Sequence, residues 1–405
     1  MSLAKLPVGQ RIKHYRRKNG NRTQAAIAGL CGITERYLQQ IEAGQKMPSA
    51  AVLARIAGEL GVPLAALLVE DPADETSVPV TAAPEIARAL TGYGLPMSAG
   101  PATPVHLRER VEAVWRSWQT SKERFSEAAG VLPDLIADVE HAVRVHRHGT
   151  DAQARREVLR VAADLYGLLR SYCRRAGRLD LSLMVADRAI RAAEDADDPV
   201  RMAAAQWNLG HVLLSHQEAA AVEEAKEIAV RAIEQLGRMP STEETVAVEG
   251  ALQLVAAVSD ANRRRWWDAR RRLEDRAVPL ARTVGEGSNV QWTAFGPANV
   301  RMHAMSIEML AGEASEGLRL ADRIDTGVLC SRERQFTFGL ELARCYDLRR
   351  EDAAVLVHLL DLEEVAPEDL ARSPLARSMV LGLQKRVRPT LRRQVDDLAG
   401  RLQLF

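Results

Sequence analysis

The chain lacks most of what would mark it for export, for a membrane or for metal-held folding. Four cysteines (Cys31, Cys173, Cys330 and Cys345) are scattered over 405 residues without a CxxC pair. There is no apolar run near 18 residues and no signal-peptide pattern. The expectation is a cytoplasmic, nucleoid-associated protein with reduced thiols and no membrane contact. Lysine is scarce, 7 against 48 arginines, and alanine is abundant, which we read as genome composition rather than mechanism. Catalytic signatures are missing as well: no HExxH, no GxSxG and no recognisable pair of carboxylates. Gly285-Glu286-Gly287-Ser288 lacks the lysine and flanking strand of a phosphate loop and reads as a turn. His141, His146 and His148 have acidic neighbours (Asp138, Glu140) but no nearby cysteine, and read as a solvated helix end rather than a metal site. The sequence points away from an enzyme and asks for no cofactor. Strand-like alternation is scarce too, so the expected class is all-α.

What is present is unevenly distributed. The net charge of +1 hides a split. Residues 1–70 hold 10 Lys/Arg against 4 Asp/Glu, a balance of +6, and the remaining 335 hold 45 against 50, a balance of −5. Six of those basic residues (Arg11, Lys13, Arg16, Arg17, Lys18, Arg22) fall within 12 positions. A basic head on a mildly acidic body suits a nucleic-acid module joined to a different one.

The head reads as five helices. Val8–Lys18 places Val8, Ile12 and Tyr15 on one side. Thr23 caps Gln24–Leu30, Cys31-Gly32-Ile33 makes a turn, and Thr34 caps a helix running to about Ala43 before Gly44 stops it. On that third helix Ile33, Tyr37, Leu38 and Ile41 share one arc, with Glu35, Arg36, Gln39 and Gln40 opposite. Pro48-Ser49 opens a fourth helix, with Val52, Leu53, Ile56, Ala57 and Leu60 at helical spacing; Leu64–Leu68 is the expected fifth. Residues 71–104 hold six of the 17 prolines and read as a linker, with one short helix expected at Pro84–Leu90.

From 105 to 405 the pattern is helix after helix, with turns every 15–22 residues, as in helical hairpins of tetratricopeptide type. Trp207 followed by Asn208-Leu209-Gly210 matches the small-residue contact of a repeat's first helix. Leu342-Ala343-x-x-Tyr346, with Pro367 21 residues later, matches its tyrosine-to-proline spacing. Leu168-Leu169-x-x-Tyr172, with Gly177 and Ala186/Ala189 behind it, is a looser match. Trp266-Trp267 follows three arginines and is expected to pack a hairpin.

The run TQ-x6-CGIT-x2-YL-x2-IE-x-G-x3-PS, followed by L-x2-IA-x2-LGV, resembles the helix-turn-helix of the lambda-repressor/Cro (XRE) family over residues 8–69. Arg22 departs from it, standing where that family has an apolar residue. The whole chain is similar in architecture to XRE-plus-tetratricopeptide regulators, among them the peptide-pheromone receptors of Gram-positive bacteria. The resemblance implies a lambda-repressor-like head (1–70), a linker (71–104) and a tetratricopeptide-like α-solenoid for sensing and dimerisation (105–405). It also implies a third helix that enters the DNA major groove. Arg36 would then fork onto guanine and Gln39 or Gln40 would address adenine, while Glu35 would accept from cytosine or orient Arg36. Arg17, Arg22, Thr23, Gln24 and Lys46 are the expected phosphate contacts. On the solenoid's concave face Trp207, Asn208, His211, Trp292, Asn299, Arg301 and His303 are candidates to hold an effector, peptide or small molecule. The expected partners are a pseudo-palindromic duplex and a second copy of the chain. A protein-binding adaptor in which DNA contact is secondary is the alternative.

Overall fold

The computed structural model describes residues 7–18, 22–62, 67, 83–92, 102–216, 218–329 and 331–404, and every regular element among them is helical. The chain divides into two compact units, Met1–Val78 and Pro79–Phe405.

In the first unit α1 (Val8–Lys18), α2 (Gln24–Leu30), α3 (Glu35–Glu42) and α4 (Ala50–Leu60) follow the apolar spacing. A hydroxyl begins each of the last three: Thr23 accepts from the Ala26 N–H (3.2 Å), Thr34 from Tyr37 (3.2 Å) and Ser49 from Val52 (3.4 Å). Between α2 and α3 Gly32 takes φ +63°, and the Ile33 N–H reaches back to the Ala28 carbonyl at 3.0 Å, a Schellman closure. Ile12, Ile27, Leu38, Ile41, Leu53 and Ile56 form a buried apolar core. Leu67 is buried in it and is the only described residue of the expected fifth helix. At Gly9 α1 crosses α3 with no room for a side chain: a Cβ there would stand 1.9 Å from the Ile41 carbonyl oxygen.

The second unit contains α5 (Ala83–Thr91), α6 (Pro104–Thr120), α7 (Arg124–His146), α8 (Ala152–Arg175), α9 (Leu179–Asp195), α10 (Pro199–His216), α11 (Ala219–Leu236) and α12 (Glu243–Asn262). Then come α13 (Trp266–Arg272), a π-helical turn over Leu273–Ala277, and α14 (Val278–Val284). It ends with α15 (Pro297–Leu310), α16 (Ala314–Ala321), α17 (Arg332–Leu348), α18 (Asp352–Val365), α19 (Pro367–Arg372), α20 (Pro374–Arg386) and α21 (Pro389–Arg401). Helix α5 lies inside the expected linker but buries Ile86, Ala89 and Leu90 against α7, so it belongs to the body. Most of the remainder of 71–104 is outside the described residues. None of the described helices is long and apolar enough to cross a membrane.

Successive helices pack as antiparallel hairpins, and every other helix also meets the next of its own layer. The inner layer runs α6, α8, α10, α12, α15, α17, and α17 returns to touch α6. The residues that matched repeat spacing sit at these contacts: a Cβ at Gly210 of α10 would stand 2.8 Å from Val255 of α12, and Leu168, Leu169 and Tyr172 are buried. Polar groups far apart in sequence close the circuit. Arg124, wholly buried, holds Asp369 through both arms of its fork (Nε–Oδ2 2.9 Å) while its guanidinium lies 4.4 Å from the Trp118 ring centroid. Glu368 accepts from the N–H groups of Phe125 (2.6 Å) and Ser126 (3.2 Å) at the start of α7. Arg332 donates to the Thr120 carbonyl at 2.9 Å.

The segment between α14 and α15 reaches across to α6. Asn289 and Gln119 exchange amide hydrogen bonds (2.6 and 3.4 Å), and Trp292 stacks on Trp115 with centroids 5.1 Å apart and planes 3° from parallel. Gln291, Trp292 and Ala294 hold φ values of +49°, +60° and +50° there. The Trp266-Trp267 expectation is half right: Trp266 packs, but Trp267 is 75% exposed. With an odd step of one residue on a helix, the two indoles cannot share a face.

Candidate nucleic-acid interface

Helix α3 leaves Glu35, Arg36 and Gln39 exposed and Gln40 half-buried, while Leu38 and Ile41 are buried on its other side. The turn beyond it is pinned to the same helix: the Gln40 carbonyl accepts from the N–H groups of Gln45 (2.8 Å) and Lys46 (3.2 Å), with Gly44 at φ +72°. The polar row is therefore carried on a backbone whose ends are both capped.

A buried charge network fixes the orientation of α3. Glu42 accepts from Arg16 through Nε (2.7 Å) and Nη2 (2.8 Å), and from the Gln24 side-chain amide (2.7 Å). Arg16 is 8% exposed and Glu42 5%. The Glu42 hydrogen bonds hold the Arg16 guanidinium above its ordinary pKa, outweighing the burial that opposes its charge. Arg16 also donates to the Arg22 carbonyl at 2.7 Å. One carboxylate thus ties α1, the start of α2 and the end of α3 together. Breaking such a pair by removing one partner costs ~3–5 kcal/mol.

The expected phosphate residues divide into two groups. Arg17 and Lys46 are exposed, and Lys46 Nζ lies 5.7 Å from the Tyr37 ring centroid. Arg17 joins Lys13, His14 and Lys18 around an open depression of about 670 Å³. Thr23 is exposed at the α2 N-terminus, its oxygen already accepting as the cap. Arg22 and Gln24 turn inward. Arg22 donates to the Glu59 carbonyl at 2.7 Å and lies 3.5 Å from its carboxylate, and Gln24 serves Glu42. Their partners sit 37 and 18 positions along the chain, on α4 and α3, so an outward reading of the sequence could not foresee them.

Residues 12–67 match the Helix-turn-helix family model. The head is a helix-turn-helix DNA-binding domain. No curated protein matches the chain's sequence. Among solved structures the chain is similar to PlcR of Bacillus thuringiensis, in complex with the peptide PapR7 and DNA. The identity is 10% over 86% of this chain and 98% of that one, with a TM-score of 0.31. It is also similar to the apo form of the competence regulator ComR from Streptococcus vestibularis, at 14% identity over 87% and 99%, with a TM-score of 0.28.

The body's candidate groove residues are partly brought together. Trp207 is buried edge-on to His211 (4.8 Å, 90°), and Asn208, 6% exposed, accepts from Arg170. Asn299 donates to the Ala294 carbonyl (3.0 Å), and His303 bonds the Asn299 carbonyl through Nδ1 (2.8 Å). His211 and His303 are both held below the usual histidine pKa, first by burial and then by nearby guanidiniums, Arg170, Arg174 and Arg334 for His211 and Arg334 for His303; His303 falls to about 4. Trp292 is occupied with Trp115, and Arg301 stands apart, half-exposed with Glu286 3.9 Å away. The arginines of this region (170, 174, 175, 334) were missed. Their signal was Arg170, Arg174 and Arg175 at i, i+4 and i+5, which puts three cations on one helix face.

Proposed function

We propose that the chain is a sequence-specific transcriptional regulator, acting in the cytoplasm as a homodimer whose helical body senses a peptide or small-molecule effector. The observation that carries it is the outward row Glu35, Arg36, Gln39 and Gln40 on a helix fixed by the Arg16–Glu42–Gln24 network. In this reading α3 enters the major groove. Arg36 forks onto guanine O6/N7, Gln39 or Gln40 pairs with adenine N6/N7, and Glu35 accepts from cytosine or steers Arg36, each good pair discriminating by ~1–3 kcal/mol. Arg17, Lys46 and the α2 N-terminus at Thr23 meet phosphates, and Arg22 and Gln24 act by stiffening the head. Two heads about 34 Å apart would read a pseudo-palindrome on one face of the duplex. An effector on the inner layer of the body would shift the freedom or spacing of the heads across residues 71–82.

Genome-wide binding of the purified full chain, with and without culture extract, tests the proposal. Enriched sites sharing an inverted repeat are expected. No enrichment under either condition, with capture of a stable protein partner instead, would favour the adaptor reading.

A further inference from the structure

Between α14 and α15 the chain makes a loop, residues 285–296, that lies over the inner layer of the body and fills a seat there. Its ends nearly touch, since a Cβ on Gly296 would stand 2.9 Å from the Gly285 carbonyl oxygen. Phe295 anchors the exit: it is 1% exposed and packs where Gly250 of α12 leaves no room for a side chain. Ahead of that anchor Trp292 lies flat against Trp115 of α6, with planes 3° from parallel. Ala163 and Gly167 of α8 and Ala204 and Ala205 of α10 line the same seat, small residues that leave depth for a ring. The two indoles are not equivalent. Trp115 is 4% exposed and its N–H donates to the Asp164 carbonyl at 2.9 Å, which fixes it as a platform. Trp292 is half-buried, and among the described residues its indole N–H finds no hydrogen-bond partner.

The loop is held there at a cost. Gln291, Trp292 and Ala294 sit at φ +49°, +60° and +50°, in the left-handed region that residues with a Cβ disfavour. The packing beneath is incomplete, because a cavity of about 20 Å³ remains between Gln291, Trp292 and the seat, room for one water. A second cavity, of about 10 Å³, lies between residues 286–288 and 328–329. The tether is an amide pair, Asn289 with Gln119 (2.6 and 3.4 Å), which another amide can replace. The charges beside the seat are already matched: Arg201 donates to Asp164 through Nε (2.9 Å) and Nη2 (3.1 Å), and to Asp198 at 2.9 Å. A flat uncharged ring with an amide beside it therefore suits the seat, and Trp292 and Asn289 supply both from within the chain. Compact loops with adjacent ends can leave as a unit, since few backbone angles must change.

We propose that Trp292 is an internal plug of the effector site, and that the effector seats an aromatic ring on Trp115 in its place. The ring is carried by a peptide or by a free aromatic molecule, and stacking on the platform serves both. Binding expels the loop, which swings about the fixed Phe295 and releases its left-handed backbone. Because the effector works against an intramolecular competitor, its apparent affinity falls with the fraction of chains whose seat is open. The assignment rests on reading the inner layer as the effector face, and adds which surface the effector takes and what vacates it.

The test uses the full chain and two uncharged probes, N-acetyltryptophanamide and indole, with calorimetry for affinity and hydrogen exchange read by mass spectrometry for the loop. With a probe at saturation, amides of residues 286–294 should exchange at least threefold faster than without it, while those of α6, α8 and α10 should not. N289A cuts the tether but keeps both indoles, and should bind at least threefold tighter than the unaltered chain. W292A removes the plug and should bind at least tenfold tighter; N289A covers the case in which it does not fold. W115L removes the platform and should weaken binding at least tenfold. A response to N-acetyltryptophanamide alone points to a peptide, and an equal response to indole points to a free aromatic molecule. Binding by W292A but no gain in N289A would mark an engineered hole rather than a plug, and would overturn the proposal. So would loop amides that exchange no faster with probe bound, or no binding by either variant. An effector from culture extract that binds while the loop's exchange stays unchanged would overturn the plug and leave the sensing role intact. DNA binding enters none of these measurements.

Discussion

Replacing Gly9 by alanine adds one methyl group at the crossing of α1 and α3, where backbone approaches backbone. The new Cβ would stand 1.9 Å from the Ile41 carbonyl oxygen, 2.9 Å from its carbon and 3.1 Å from the Glu42 carbonyl carbon. Ordinary contact begins near 3.4 Å, so the helices must separate or slide by about 1.5 Å. No flexible side chain lies there to yield. The displacement opens the interface packed by Ile12, Leu38 and Ile41, each essentially unexposed. A gap of 0.5–1 Å forfeits a quarter to a half of the attraction between packed atoms, and each buried side chain contributes ~1.5–3 kcal/mol. Over three residues the cost is about 1–4 kcal/mol, in line with measured overpacking. A head of this size holds only ~3–9 kcal/mol in total. Hydrogen exchange read by mass spectrometry on the full chain should show amides of α1–α4 exchanging roughly thirtyfold faster for a destabilisation near 2 kcal/mol, with the body unchanged. Gly29 supplies the control. It sits in α2, where an added Cβ would meet nothing within 4 Å, so Gly29→Ala should be neutral or protective by up to ~1 kcal/mol. Less than a threefold change in G9A, or equal effects of the two substitutions, would refute the reasoning.

Arg36→Ala should relax operator preference by ~1–3 kcal/mol while sparing affinity for random duplex; equal weakening on both in a competition titration would remove Arg36 from base readout. Arg17→Ala and Lys46→Ala should weaken both duplexes alike and shallow the log–log salt dependence by about 0.9 for each phosphate no longer neutralised, measured by fluorescence anisotropy at several salt concentrations. Asp369→Ala leaves the buried Arg124 cation with Glu333, 3.6 Å away, as its remaining carboxylate and should lower the body's stability by ~3 kcal/mol in urea titration, whereas Arg124→Met with Asp369→Leu should regain most of it. His303 resists protonation down to about 4 when folded, so the unfolded chain binds more protons between its ordinary 6.5 and that value. Stability should consequently fall on acidification through that window, and the His303→Gln variant should fall less steeply over the same pH series.

The head was largely legible because its signals are local. Hydroxyl caps, Gly32 and the apolar spacing bounded α1 to α4, and the same wheel separated Leu38 and Ile41 from Arg36 and Gln39. Arg22 and Gln24 were not legible as internal ligands, since nothing near them in sequence announces Glu59 or Glu42. In the body, Gly210 and Tyr172 were read as repeat contacts from spacing alone. The arginine face of α8 was missed: the spacing of Arg170, Arg174 and Arg175 marks one face, but whether it points into solvent or inward depends on α17 arriving 158 positions later at Glu333. Trp267 misled because adjacent tryptophans look like one apolar unit, although a helix turns them apart.

The return of α17 to α6 changes how the body must assemble. An open solenoid gains stability one neighbour at a time, and its ends can fray without consequence for the middle. Here Arg124 and Asp369 are 245 residues apart and Arg332 reaches Thr120 across 212. During synthesis the first hairpins emerge long before the residues that neutralise Arg124. Closing so long a loop brings an entropic cost ahead of its reward, so folding should finish late and in one concerted step. Truncation from the C-terminal side past Asp369 should therefore leave an incomplete, aggregation-prone ring rather than a shorter working array.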